Sequence, residues 1–248
     1  MQTALATFAF APGLALGSFL NVVAARVPLR RSLVSPPSAC FSCGTPIAWY
    51  DNVPLLSYAV LRGRCRACHA RISWKYPAVE AATAVLISAC FLRFGLSGKA
   101  LVGALFCAAL VTVTVTDFER RIIPNRIVLP AALVVLAANT ALRPSPEWAI
   151  AAFGASAFLL IAALAYPGGM GMGDVKLALL LGAAVGRTVP IALMVAMLSA
   201  LVPSTAILVR HGRAGRKMGI PFGPFLALGG IVALFAGKAL LDGYLNLL

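Results

Sequence analysis

The sequence predicts an all-α polytopic membrane protein with about seven or eight transmembrane helices and one small polar domain. Of the 248 residues, 61% are hydrophobic and 11% are charged, whereas ordinary globular domains carry about 25% charged residues. The mean hydropathy is +0.94. The apolar residues also form runs of the length that a membrane-crossing helix needs, about 17–25 residues. This composition excludes a water-soluble globular protein.

Eight apolar runs are the candidate spans. They lie near residues 5–25, 76–94, 99–116, 127–142, 148–166, 175–187, 188–209 and 222–245. The first run follows no basic segment and precedes no convincing cleavage site of small residues, so we expect a retained helix rather than a signal peptide. The run at 175–187 is short for a span, and we expect it to be tilted, broken or partly re-entrant.

The net charge of +14 is distributed in a way that indicates membrane topology. With the N-terminus outside, sixteen of the 21 lysines and arginines fall in four inward loops: 26–75, 117–126, 167–176 and 210–221. Lysine and arginine concentrate on the cytoplasmic side of membrane proteins. We therefore expect the lipid of the inner leaflet as the partner of these charges, and no nucleic acid.

The chain is predicted to have three regions. Residues 1–25 form the first transmembrane helix, residues 26–75 form a small cytoplasmic domain with little regular structure, and residues 76–248 form the transmembrane core. The segment 26–75 contains five prolines and four of the six cysteines. Because fifty residues rarely bury enough apolar surface to fold unaided, this domain needs a staple.

The cysteine spacing supplies that staple. The pair Cys40 and Cys43 and the pair Cys65 and Cys68 are each separated by two residues, with 21 residues between the pairs. This spacing is typical of a four-cysteine Zn²⁺ site, whose closed thiolate shell serves folding rather than catalysis. A disulfide or redox pair is the alternative, which a cytoplasmic location disfavours. His69 is either a substitute ligand or a surface residue, and Cys90 and Cys107 are expected to be packing residues inside apolar helices.

Two aspartates lie at the ends of apolar runs. Asp117 follows the run 108–116, and Asp174 closes the sequence Gly-Met-Gly-Asp before the run that starts at Val175. An ionisable group in a membrane segment is costly and is therefore a functional candidate. Taken singly, Asp117 could be an interfacial residue paired with Arg120 or Arg121. Asp174 could be an N-cap or first-turn acid of the following helix.

Taken together, the two aspartates predict a catalytic pair at one depth. The glycines beside Asp174 are expected to allow close backbone approach and positive φ; they are Gly168, Gly169, Gly171 and Gly173. Pro124 ends or kinks the segment after Asp117. Two adjacent carboxylates would share one proton, so that one deprotonates water while the other polarises a peptide carbonyl. The implied chemistry is peptide hydrolysis without a covalent intermediate, with Glu119 only a neighbour.

The sequence lacks the common competing motifs. It contains no HExxH, no GxSxG and no Walker loop, and neither histidine pairs visibly with a serine or cysteine nucleophile.

At this point the chain resembles the bacterial type IV prepilin peptidase family, which comprises bifunctional leader peptidases and N-methyltransferases of the GxGD aspartic class. The resemblance extends over nearly the whole chain. It rests on an ordered set of motifs: Gly17-Ser18-Phe19-Leu20-Asn21-Val22-Val23, the double CxxC, Asp51-Asn52-Val53-Pro54-Leu55-Leu56-Ser57-Tyr58, Tyr76-Pro77-Ala78-Val79-Glu80, Asp117 before Pro124-Asn125, and Gly171-Met172-Gly173-Asp174-Val175-Lys176-Leu177.

The resemblance implies that Asp117 and Asp174 are the protease dyad. It implies prepilins or pseudopilins as substrates, cut at the cytoplasmic face of the bacterial inner membrane, after a glycine that ends a short basic leader. It also implies methylation of the new N-terminal amine from S-adenosylmethionine, an activity that the family associates with the loop corresponding to 26–75. The sequence carries no GxGxxG fingerprint that would locate the methyl donor.

Further residues are candidates for the site, each with a structural alternative. Gly171 and Gly173 could line it. Lys176 could orient the carboxylates or extend to the interface. Glu80 could bind the new amine or be a first-turn helix acid. Asn21 could line the site or make a polar contact between helices.

Two other functions are compatible with the sequence. The aspartates could be proton-coupled ligands of a membrane transporter, although such carboxylates usually lie near the midplane and no inverted repeat is visible. The protein could also be a zinc-stabilised membrane scaffold without catalysis.

Overall fold

The computed structural model describes residues 2–166, 169–215 and 219–246. Within these ranges it is helical, and the only β pairing is two isolated bridges, Ala39 with Pro46 and Arg64 with Arg71. The helices are α1 (Gln2–Arg26), α2 (Leu56–Val60), α3 (Lys75–Phe94), α4 (Gly98–Arg120), α5 (Asn125–Leu142), α6 (Glu147–Ala165), α7 (Met172–Val185), α8 (Val189–Gly215) and α9 (Gly223–Leu245). Short 3₁₀ turns occupy Val27–Leu29, Trp49–Asn52 and Gly186–Thr188.

Seven segments of the described chain are long and apolar enough to cross a membrane, which confirms the predicted polytopic all-α class. One of them, Met172–Gly212, has 41 residues and contains both α7 and most of α8. A continuous helix of that length would measure about 60 Å, twice the thickness of the hydrocarbon core. The break lies at Gly186, which has φ +57 and follows the last residue of α7. The short span expected at 175–187 is thus a helix of 14 residues that begins at Met172.

The chain divides into two compact units, Met1–Ala100 and Leu101–Leu248. In the first unit α1 packs along α3 through two glycines four residues apart. A β-carbon at Gly13 would lie 2.7 Å from the Cα of Ala84, and one at Gly17 would lie 2.7 Å from the Cα of Glu80. Small residues at this spacing let two membrane helices approach closely without a hydrophobic driving force.

In the second unit α7 is the central helix. Leu177, Leu180 and Leu181 are fully buried, and α7 packs against α5, α6 and α9. The amide nitrogen of Asn139 on α5 donates to the carbonyl oxygen of Ala183, with a distance of 2.8 Å. These contacts fix the position of α7 and therefore of the acidic residue in its first turn.

Gly182 is a point of close contact between α7 and α6, and it provides a test of this packing. A β-carbon there would overlap the backbone of Ala151 and Ala152. Replacing a helical glycine by alanine normally stabilises by about 1 kcal/mol, but forced overpacking costs about 1–3 kcal/mol. We expect Gly182→Ala to lower the apparent Tm of the detergent-solubilised protein. Gly243→Ala, where a β-carbon meets nothing within 4 Å, should not lower it, and equal loss in both variants would contradict the packing.

Candidate active site and metal centre

Asp117 lies near the C-terminal end of α4 with 5% of its surface exposed. The helix ends just beyond it, because Arg121 adopts φ +55 and its N–H donates to the carbonyl oxygen of Asp117 at 2.9 Å. The side-chain Oδ2 of Asp117 accepts a hydrogen bond from the backbone N–H of Gly223 at 2.9 Å. A buried carboxylate needs such partners to offset its desolvation.

Gly223 is a functional candidate that the sequence reasoning missed. It is the first residue of α9, and a β-carbon at this position would lie 2.8 Å from Oδ2 of Asp117. Only glycine therefore lets the start of α9 approach the carboxylate this closely. The available signal was a glycine directly before Pro224 at the start of the last apolar run, a pattern that marks a helix start but names no partner.

Asp174 is the third residue of α7 and is 7% exposed. Its Oδ2 accepts from the N–H of Gly171 at 3.2 Å, so it is a first-turn acid that also caps its own helix. The helix starts three residues before the Val175 expected from hydropathy, because Gly171 is extended (φ −81, ψ 146) and ends the preceding loop. The other oxygen, Oδ1, is buried and has no hydrogen-bond partner among the described residues.

The glycines beside Asp174 act differently from the expectation. Gly169, Gly171 and Gly173 do not adopt positive φ, so that expectation was wrong for them; Gly168 lies outside the described residues. Close approach, however, is present. A β-carbon at Gly173 would lie 2.8 Å from the Cβ of Ile123, so this glycine lets the first turn of α7 pack against the segment that follows Asp117.

The two carboxylates are thereby brought into one buried region. The contact of Gly173 with Ile123 brings the start of α7, which carries Asp174, against the segment that follows Asp117 at the end of α4. Within the described ranges no ion pair joins Asp117 to Arg120 or Arg121. The expected arginine partner is replaced by a backbone N–H. Two neighbouring acids of this kind can share one proton and act as a general base and a general acid.

The remaining predicted residues of the second unit lie at its edge. The Lys176 ammonium donates to Oδ1 of Asn125 at 3.0 Å, so it links the starts of α7 and α5 and touches neither carboxylate. Glu119 is exposed, in keeping with its expected place as a neighbour.

In the first unit, Glu80 and Asn21 make hydrogen bonds between separate segments of the chain. Glu80 is buried in the second turn of α3 and accepts from the N–H of Leu55 at 2.9 Å. It is not the first-turn acid considered above, because α3 begins five residues earlier, at Lys75. Leu55 has φ +58, so Glu80 stabilises a strained turn. The amide of Asn21 donates to the carbonyl oxygen of Tyr76 at 3.2 Å and joins α1 to α3.

The four cysteines form a cluster that could bind zinc. The sulfur atoms of Cys40, Cys43, Cys65 and Cys68 all lie within 4.8 Å of one another, and those of Cys40 and Cys68 are 3.8 Å apart. A tetrahedral Zn²⁺ site with bonds of about 2.3 Å has sulfur–sulfur edges of about 3.8 Å. The four thiols are not in disulfides, and the donor set therefore fits a closed structural zinc site.

Both cysteine pairs are held by the same backbone turn. The N–H of Gly44 donates to the carbonyl of Cys40, and the N–H of His69 donates to the carbonyl of Cys65. Both residues have positive φ, +71 and +57. His69 thus occupies a turn position equivalent to Gly44 and is not a member of the sulfur cluster.

Thiolate, not thiol, binds the metal, and the surroundings of Cys43 favour the thiolate. The side chain of Thr45, followed by its backbone N–H, lowers the pKa of Cys43 to about 6.

The second cysteine pair is joined to the turn at Trp49–Asn52 by Arg66, whose Nε and Nη2 donate to the Asp51 carboxylate at 2.7 and 2.6 Å.

Comparison with known proteins supplies a family for both units. Residues 12–94 match the Bacterial Peptidase A24 N-terminal domain, and residues 104–205 match the Type IV leader peptidase family. The chain is similar to the prepilin leader peptidase/N-methyltransferase of Bacillus subtilis (strain 168), with 35% identity over 240 residues that cover 95% of this chain and 96% of the relative. The proteins of the same name from Pseudomonas putida and Myxococcus xanthus (strain DK1622) are 34% and 37% identical, over 98% and 86% of this chain and 94% and 66% of theirs. No solved structure matches significantly.

The metal centre gives a prediction. The purified protein should contain about one zinc per chain, as the four-thiolate template requires. Cys40→Ser and Cys65→Ser should lose the metal and make residues 26–75 sensitive to protease, because a metal that binds only the folded domain would stabilise that fold. Elemental analysis and limited proteolysis provide the measurements.

Cys107→Ala is the matched control, since Cys107 is buried in α4 and lies outside the cluster; it should keep the zinc. Protein that contained no metal and no titratable thiol at the four positions would instead indicate disulfides.

Proposed function

Since the chain belongs to the type IV leader peptidase family, we propose that Asp117 and Asp174 are the catalytic dyad of a membrane-embedded aspartic endopeptidase. Its substrates are type IV prepilins or pseudopilins, from which it removes the short basic leader. The observation that carries the assignment is the convergence of two buried carboxylates at neighbouring helix ends, each hydrogen-bonded by a glycine N–H. Carboxylates at helix ends also disfavour a transporter, whose ion ligands lie near the midplane.

The proposed mechanism uses both aspartates and one water molecule. The ionised aspartate removes a proton as the water oxygen attacks the carbonyl carbon of the scissile peptide. The protonated aspartate donates to the carbonyl oxygen, which stabilises the charge that develops there. When the tetrahedral intermediate collapses, the C–N bond breaks and the leaving amine takes up a proton from the dyad. Gly171 ends the loop before α7, and Gly173 lets the first turn of α7 pack closely, so both shape the surroundings of the dyad. Lys176 positions the start of α7 through its hydrogen bond to Asn125.

We further propose that the enzyme methylates the new N-terminal amine with S-adenosylmethionine, as the names of its relatives suggest. The donor supplies a methyl group bound to a positively charged sulfur. In the first unit both acidic residues are engaged, Asp51 by Arg66 and Glu80 by Leu55. We propose that an exposed aromatic face, such as that of Trp49 at 84% exposure, binds the positively charged sulfur of the donor. Because Glu80 accepts from the N–H of Leu55, we assign it the role of positioning that turn.

The proposed location is the bacterial inner membrane. Residues 26–75 form the cytoplasmic zinc domain and residues 76–248 the membrane core, with the first helix at 1–25. The support for this orientation is the concentration of lysine and arginine in the loops on one side. The dyad then lies at the cytoplasmic edge, where a basic leader joins an apolar helix.

The dyad is tested by removing one carboxyl at a time. We expect Asp117→Asn and Asp174→Asn each to abolish leader removal while the protein still inserts, because shared-proton catalysis needs both groups. Membranes incubated with a full-length prepilin are analysed by mass spectrometry for leader loss and methyl gain. A pilin cleaved in advance should still be methylated by Asp174→Asn, since methylation then no longer depends on the dyad.

Glu119→Gln is the matched control, an acid two residues from Asp117 that is exposed; it should retain cleavage. Substantial cleavage by either asparagine variant would remove that residue from the dyad. Failure to methylate the pre-cleaved pilin with donor still bound would show that one site performs both reactions.

Gly223 is tested by adding a single methyl group. Gly223→Ala places a carbon where Oδ2 of Asp117 requires the space, so the carboxylate must shift. A displacement of about 1 Å can cost about 100-fold in rate, and we expect kcat to fall by about that factor with KM little changed. Gly243→Ala should keep the wild-type kcat, and a wild-type kcat for Gly223→Ala would show that the contact does not position Asp117.

A further inference from the structure

The second unit contains an apolar groove between α6 and α8, with a volume of about 580 Å³. Its walls include Gly154 and Phe158 on α6 and Met194 and Met197 on α8, and every lining residue is apolar. At Gly154 an added β-carbon would meet nothing within 4 Å. The glycine therefore leaves the middle of the groove wide.

A second cavity, of about 380 Å³, continues this groove along α8. Met197 lines both cavities, and the second adds Leu201 and Ser204 further along the helix. Its far wall consists of Phe222 and Phe225, which flank the glycine–proline start of α9. Together the cavities follow α8 from residue 189 to residue 204, a distance of about 22 Å at 1.5 Å per residue.

The groove ends at the candidate dyad. Phe222 directly precedes Gly223, whose N–H is bonded to Asp117. Met170, which also lines the second cavity, directly precedes Gly171, whose N–H is bonded to Asp174. Each carboxylate is therefore hydrogen-bonded to a glycine whose preceding residue lines the groove.

We propose that this groove docks the apolar helix that follows the cleavage site of the substrate. The inference rests on the proposed function, because the scissile bond must reach the dyad and the helix beyond it must leave in some direction. The groove provides that direction along α8, and its length matches most of the hydrocarbon core of about 30 Å. A helix bound there extends from the dyad towards the opposite face of the membrane.

The chemistry of the walls suits a helix whose sequence varies. Three of the six methionines of the chain line the two cavities: Met170, Met194 and Met197. Methionine is flexible and polarizable, so it adapts to differently shaped apolar partners. A small residue such as Gly154 lets the backbone of a second helix approach closely. The groove thus selects an apolar helix by fit while leaving recognition of the cleavage site to the region of the dyad.

The first test fills the groove without a clash. Gly154→Leu adds a side chain where there is open space, and we expect KM for a full-length prepilin in proteoliposomes to rise about tenfold with kcat little changed. The matched control is Gly243→Leu, another glycine with nothing within 4 Å but outside the groove, which should leave both constants unchanged. An unchanged KM for Gly154→Leu beside normal wild-type cleavage would overturn the groove and leave the proposed peptidase intact.

The second test maps the bound helix without requiring cleavage. A photo-crosslinking amino acid is placed at Met194 or at Leu201 in the Asp174→Asn enzyme. These positions are seven residues, or about 10 Å, apart on α8. We expect both to crosslink to the substrate helix, at sites about seven residues apart, with Leu201 nearer the cleavage site. Val202, exposed on the same helix but outside the groove, is the control and should not crosslink.

Crosslinks to lipid only, or substrate crosslinks without that offset, would overturn the proposal. Crosslinks with the offset, together with a wild-type enzyme that cleaves no prepilin, would instead retain the groove and refute the peptidase. The two failures are therefore distinguishable.

Discussion

The hydrogen bond from the N–H of Gly223 to Asp117 constrains how α4 and α9 pack in the second unit. It joins the end of α4 to the beginning of α9, 106 residues later in the chain. A buried carboxylate is tolerated only when its lone pairs are satisfied or its function requires otherwise, and a backbone N–H can satisfy it only where no side chain intervenes. The buried carboxylate of Asp117 therefore depends on glycine at the start of α9. Asp174 also accepts a hydrogen bond from a glycine N–H, that of Gly171, within the first turn of its own helix.

This arrangement leaves part of the buried polar surface unsatisfied. Oδ1 of Asp174 has no hydrogen-bond partner within the described chain, and an unpaired buried acceptor costs about 1–3 kcal/mol or more. The surrounding packing of α7, with its fully buried leucines and the Asn139 bond, provides the stability that offsets this cost. A proposed function in peptide hydrolysis explains why the cost is retained, since a catalytic carboxylate must present one oxygen to the reacting groups.

Much of this fold could be predicted from local pattern. The spans follow from hydropathy, and the four-cysteine cluster follows from spacing, because a short turn between two cysteines fixes the direction of both sulfurs. The aspartates were identified because charge is rare in this chain. The role of Gly223 could not be found in the same way, since its partner is distant in sequence and a glycine before proline carries no chemical signal of its own. The start of α7 at Met172 was missed because hydropathy records the apolar face and not the cap that begins a helix. The positive φ expected at Gly171 and Gly173 failed for a related reason: there glycine is used for its missing side chain rather than for its backbone freedom.

The close contact of α1 with α3 has a consequence for the cysteine domain between them. Gly13 and Gly17 bring the helices together, and Asn21 joins them by a bond to Tyr76 at the end from which residues 27–74 emerge. The two ends of that segment are therefore already near each other before the domain folds. Closing a loop of this length from free ends carries an entropy cost that grows with the logarithm of its length. Here the packing of α1 against α3 offsets that cost. A metal ion bound by the four cysteines would then have to order only the interior of this segment. The same segment without its two flanking helices would have to offset the cost of closure itself, and we expect it to bind Zn²⁺ less tightly.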